Sequence, residues 1–76
     1  MSRSDDRPAL VRATETAHGL KAGTWESVEA LSVLARLTGD ASVLERARAT
    51  AAGLKPGTWE SVLALTRLAE AEQELG

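Results

Sequence analysis

The sequence predicts an all-α protein: antiparallel helical hairpins stacked as a short right-handed α-solenoid. Three observations carry that prediction. First, the stretch Gly19-Leu20-Lys21-Ala22-Gly23-Thr24-Trp25-Glu26-Ser27-Val28 returns as Gly53-Leu54-Lys55-Pro56-Gly57-Thr58-Trp59-Glu60-Ser61-Val62, so Trp25 and Trp59 stand 34 residues apart. Second, residues 8–35 match residues 42–69 at 18 of 28 positions in that register. Third, apolar residues recur at helical spacing on both sides of each glycine-containing break. Identity at this level between adjacent short segments marks duplication of one structural unit.

Four helices follow, over about residues 7–19, 24–38, 40–53 and 58–75, in a single domain at 7–76 behind a flexible tail at 1–6. In the first, Leu10, Ala13, Ala17 and Leu20 share one face, and Pro8 falls in the first turn, where a missing N–H is harmless. Thr24 is placed to cap the second helix, whose stripe is Val28, Leu31, Leu34 and Ala35. Glu26 and Glu60 lie in first turns, where the helix dipole favours negative charge. Gly39-Asp40 closes the second helix and opens the third within a tight turn, with Asp40 as cap. The third helix repeats the first through Leu44, Ala47, Ala51 and Leu54. Gly53 suits a left-handed helix end, and Pro56 forbids continuation. Thr58 caps the fourth helix, with Val62, Leu65, Leu68 and Ala69 as its stripe. Beyond Ala69 the copies part, and the polar ending Glu70-Ala71-Glu72-Gln73-Glu74 suits a terminal element. The short loops bring successive helices together antiparallel. The expected repeat core is Trp25, Val28, Leu31, Leu34, Leu44, Ala47, Ala51, Trp59, Val62, Leu65 and Leu68.

Composition bounds what this core can do. The chain has 76 residues, and 14 of its 33 hydrophobic ones are Ala, so little apolar area is buried per residue. Each helix is too short to stand alone, and two repeat units fall below the number a repeat array normally needs. Marginal monomer stability, or self-association that covers the exposed ends, is the expectation. With no Cys there is neither a disulfide nor a thiolate site, and a net charge of −2 lacks the basic excess of a nucleic-acid binder. No long apolar run marks a membrane span or a secretory signal, which points to a cytoplasmic protein with no membrane partner.

The pattern of hairpins with a 34-residue period, Gly39-Asp40 at the inner turn, small Ala51, Pro56 between units, and Leu65 followed by Ala69 resembles the tetratricopeptide repeat. The resemblance covers nearly the whole chain from Asp6. It departs from the family in its aromatics: Trp25 and Trp59 lie in the first turn, and Ser32, Thr66 and Arg48 stand where large or small family residues are usual. The resemblance implies protein–protein scaffolding without catalysis, and peptide binding on a concave face lined by the Trp-containing helices. That face has no Lys–Asn clamp for a C-terminal carboxylate, so chaperone-tail binding is not expected.

The two copies also differ in a pattern. In the Trp-containing helices the non-conservative differences are Glu29/Leu63, Val33/Arg67 and Arg36/Glu70, which fall within a stripe of roughly 60°. In the other pair Val11/Glu45, Thr14/Arg48, Glu15/Ala49 and His18/Ala52 differ, again on one side. Shared positions therefore read as core and unshared ones as surface. Glu29, Val33, Arg36, Leu63, Arg67 and Glu70 form the candidate partner-binding groove, mixing apolar anchors with both signs of charge. A solvated face that drifted after duplication is the alternative reading.

No pattern for chemistry emerges. Trp25 and Trp59 read as packing residues between units, with a ligand-stacking pair as the alternative. His18 is the only histidine and lacks catalytic partners, while Lys21 and Lys55 suit helix C-termini. The acidic residues lack calcium-loop spacing, and Gly23-Thr24 and Gly57-Thr58 lack the phosphate-loop pattern. The sequence thus points to a non-catalytic interaction or scaffold module, whole or part of a longer repeat array. It has no cofactor or metal and takes a protein or peptide partner. The alternative is a self-assembling repeat protein whose exposed ends drive homo-oligomerisation.

Overall fold

The computed structural model describes residues 5–76 and places them in four helices: α1 (Ala9–His18), α2 (Trp25–Thr38), α3 (Ala41–Ala52) and α4 (Trp59–Leu75). No strand occurs among the described residues. The part of the expected tail at 1–4 lies outside them. Asp5, expected in that tail, accepts hydrogen bonds from the Arg7 backbone and guanidinium.

The repeat is visible in the local geometry. Thr24 and Thr58 both adopt φ −134° and ψ 163° ahead of their helices. In the first, the Ser27 N–H donates to Thr24 Oγ1 and the Thr24 N–H donates to Ser27 Oγ, both at 3.1 Å. Thr58 and Ser61 make the same pair at 3.1 Å. Two otherwise orphaned donors are satisfied at each start. Thr24→Ala and Thr58→Ala are each expected to destabilise the fold by about 1 kcal/mol, read as a shift of the urea midpoint followed by circular dichroism.

Helix ends differ from expectation in two places. Pro8 stands at the N-cap of α1, with φ −54° and ψ 144°, and not inside the first turn. Gly53 has φ −89° and is not left-handed. There the Gly53 and Leu54 N–H groups donate to the Thr50 and Ala51 carbonyls, tightening the last turn so that no reversal is needed. Gly19 and Leu20 end α1 in the same way. The one left-handed residue among those described is Gly39, at φ 70°, where the chain reverses between α2 and α3. A side chain there would be strained, which fits glycine in that turn.

α2 is the central element: it packs on α3 and α4, while α1 packs on α2 alone. The core joins Leu31, Leu34 and Ala35 of α2 to Val43, Leu44 and Ala47 of α3 and to Leu68 and Ala71 of α4. α1 contributes no buried residue. The molecule measures 46 × 24 × 18 Å with a radius of gyration of 13.2 Å. A compact chain of this length would have roughly 11 Å, so the molecule is elongated.

Three residues expected in the core are outside it: Trp59, Val62 and Leu65 are exposed. Trp25 and Ala51 are partly buried, and the other six lie in the interior. The cause is position. Val28 and Leu31 of α2 are covered by the helices packed on α2, whereas no helix among the described residues covers the corresponding face of α4.

Candidate binding groove

An open apolar groove of about 650 Å³ runs between α1 and α2. Leu10, Ala13 and Ala17 form one wall, and Ala30, Val33, Leu34 and Leu37 form the other. Leu20 and Ala22 of the connecting loop close one end, and Lys21, Glu26 and Arg46 supply charge at its rim. The groove exists because α1 is held at its C-terminal end. The Arg46 guanidinium of α3 donates to the Ala17 carbonyl at 2.7 Å and to the Leu20 carbonyl. A cation there suits the negative end of the α1 dipole.

Several repeat-related positions differ in burial. Leu10 is 37% exposed and its mate Leu44 only 3%; Leu37 is 65% exposed and its mate Ala71 is fully buried. The α2 groove positions Ser27 and Ala30 are partly buried and exposed respectively, whereas their mates Ser61 and Ala64 are buried; Leu34 and its mate Leu68 are buried alike. Between α3 and α4 the same groove is therefore filled, and the helix that fills it is α2, to which α4 is most closely packed.

The filling side of α2 carries Val28, Ser32 and Ala35, each fully buried. The corresponding side of α4 carries Val62, Thr66 and Ala69, and all three are exposed. The two tryptophans follow suit. The Trp25 indole is partly buried and its Nε1–H donates to the Lys55 carbonyl at 3.3 Å, while Trp59 is 84% exposed. One apolar face thus lies open at α1/α2 and a second at α4.

The residues expected to form one groove are divided. Arg36, Arg67 and Glu70 meet in a charge cluster joining α2 to α4: Glu70 lies 3.5 Å from Arg36 and 3.0 Å from Arg67. Arg36 also donates through Nε to Glu74 at 2.8 Å. Val33 lines the α1/α2 groove. Glu29 has no ion-pair partner among the described residues, and Leu63 is exposed on α4. The remaining groove residues were missed because Ala30, Leu34 and Leu10 are shared between the copies, and sharing reads as core.

The Arg36–Glu74 hydrogen bonds hold the Glu74 carboxyl below its ordinary 4.5 and raise the Arg36 guanidinium above its ordinary value. Glu74 is thus ionised more readily in the folded chain, so its stabilisation is present above its ordinary pKa and is lost as pH falls through the lowered value. The thermal midpoint is expected to drop on acidification from about pH 5 to about pH 3. Arg36→Gln should flatten that drop, and melts at each pH check it. Asp5 and Asp40, lowered by hydrogen bonds from Arg7 and Ser42, titrate in the same direction and remain in the variant.

Among the described residues no group of three or more His, Asp or Glu side chains is placed to hold a metal ion. Nor is any helix among them long and apolar enough to cross a membrane. No family model, no curated protein and no solved structure matches the chain. The geometry of the two open faces therefore carries the functional argument.

Proposed function

We propose that the chain is a non-catalytic protein–protein interaction module of the tetratricopeptide-like repeat type, set in the cytoplasm, which takes a helix into the α1/α2 groove. The observation that supports it is the pairing of an open groove with a filled copy of itself: Leu10 and Leu37 stand exposed where Leu44 and Ala71 are covered by α2. Apolar walls with a charged rim suit helix-in-groove recognition, in which one apolar helix face is buried and its ends are read by charge. The same surface serves a scaffold that is part of a longer array, with the groove taken by a neighbouring unit. The stripe of Glu29, Val33, Arg36, Leu63, Arg67 and Glu70 is a weaker candidate, because Arg36 and Arg67 are already paired with Glu70 and Glu74.

A panel of helical peptides, each with one apolar face, tests this by fluorescence polarisation. Binding is expected to the native chain and not to Ala30→Arg, with unchanged helical circular dichroism. Leu63→Glu and Arg67→Glu should leave it intact. Binding to none of the panel, or loss with Leu63→Glu and retention with Ala30→Arg, contradicts the reading. Self-assembly is the second reading, favoured by the exposed face of α4.

A further inference from the structure

We infer that the α1/α2 groove is built to receive α4 of a second copy of this chain, head to tail, in the register that α2 adopts on α3/α4. The inference rests on the groove being a helix-binding face and names its occupant. Within one chain, the side of α2 bearing Val28 seats in the groove formed by α3 and α4. The side of α4 bearing Val62 is chemically its duplicate, since Trp59, Val62 and Leu65 repeat Trp25, Val28 and Leu31. Much of the receiving surface is duplicated as well: Leu10, Ala13, Ser27, Ala30 and Leu34 repeat Leu44, Ala47, Ser61, Ala64 and Leu68, while Ala9 and Leu37 stand in place of Val43 and Ala71. Donor and acceptor are thus both present, both exposed, and related by the interface already formed inside the chain.

Two polar contacts carry over with the apolar ones. Trp25 Nε1–H reaches the Lys55 carbonyl across the internal interface. In the intermolecular copy, Trp59 Nε1–H meets the Lys21 carbonyl of the next chain. Arg46 donates to the carbonyls of Ala17 and Leu20. Its repeat mate Arg12 would then reach those of Ala51 and Leu54 of the preceding chain, leaving Asp5, which lies 3.5 Å away. Charge is also matched, because the Arg36–Glu70 pair becomes Glu70 of one chain facing Arg36 of the next. The Arg36–Glu74 link does not carry over, since Asp40 occupies the position equivalent to Glu74. The trans interface is accordingly weaker than the cis one.

Such an interface joins two different surfaces, so it does not close after two copies. It extends into a fibre, or into a ring if the rotation between copies permits. An interface joining groove to groove, or α4 to α4, would stop at a dimer.

Two exposed substitutions separate these outcomes. Val62→Asp places a charge on the α4 face and leaves the groove intact, and Ala30→Arg blocks the groove and leaves α4 intact. In analytical ultracentrifugation from micromolar to millimolar, the native chain is expected to grow beyond a dimer with concentration. Each variant alone should stay monomeric with native helical circular dichroism, its association weakened roughly 100-fold or more by an unpaired charge in an apolar contact. Mixed in equal amounts, the variants should form one heterodimer and nothing larger. A native chain that is monomeric throughout overturns the inference, as does dimerisation of either variant alone or a mixture that stays monomeric. Should either variant lose helicity, Leu65→Asp and Leu10→Arg repeat the experiment on the same two faces. If the chain remains a monomer yet still takes apolar helical peptides in the groove, only the self-association falls and the interaction module stands.

Discussion

Leu44→Ala is expected to abolish cooperative folding of the isolated chain at room temperature. Leu44 is 3% exposed and lies in the cluster that joins α2, α3 and α4. That cluster is thin, because Ala35, Ala47, Ala64 and Ala71 make up much of the buried apolar set. Truncating a buried Leu costs about 2–5 kcal/mol through lost transfer energy and the cavity left behind. A domain of this size draws roughly 3–5 kcal/mol of net stability from its core, so the loss is comparable to the whole. The repeat supplies an internal control in Leu10, the same residue at the same repeat position but 37% exposed. Leu10→Ala should change stability by less than about 1 kcal/mol. Guanidinium titrations of the two variants check the pair. Equal losses would mean that α1 is packed as tightly as α3, which the burial difference denies.

Arg46→Ala is expected to melt α1 while leaving α2, α3 and α4 folded. α1 has 10 residues, no buried side chain and no packing partner other than α2. A helix that short does not persist in water without tertiary support. The Ala17 carbonyl in its last turn and the Leu20 carbonyl just beyond it both accept from the Arg46 guanidinium. Hydrogen bonds to a charged group contribute about 1.5–3 kcal/mol, a large share of what holds such an element. The variant should lose circular-dichroism signal equivalent to α1 and show rapid amide exchange confined to it. Arg46→Lys should recover little, because a single ammonium does not span two carbonyls as a guanidinium fork does. Unchanged protection in α1 would show that contact with α2 suffices.

These two variants lie on either side of what could be read without coordinates. The helices themselves were legible because local chemistry specifies them. Thr24 and Thr58 cap, Gly39 reverses the chain, and apolar residues recur on one side. The dominance of α2 and the exposure of Val62 and Leu65 were not legible. Amphipathic spacing shows which side chains need cover; it carries no information about whether a neighbour supplies it. Val28 and Val62 follow the same five residues, Gly-Thr-Trp-Glu-Ser, yet one is buried and the other exposed. The same limit explains the stripe from Glu29 to Glu70. Divergence between copies located a surface, but it did not show that Arg36 would be held by Glu70 and Glu74. Gly53 was misplaced because glycine after a helix suggests a left-handed end, whereas here a tightened last turn already satisfies the carbonyls.

Docking of α4 in the manner of α2 can be read from the emission of Trp59 alone, recorded in the Trp25→Phe variant across a dilution series. In dilute solution the indole should emit and be quenched as a water-exposed group, in line with its 84% exposure. As concentration rises, the emission is expected to shift to the blue and to become protected from quencher, in step with the growth in mass. Emission that stays at the exposed limit at every concentration, or that is already blue-shifted in the dilute monomer, would contradict it.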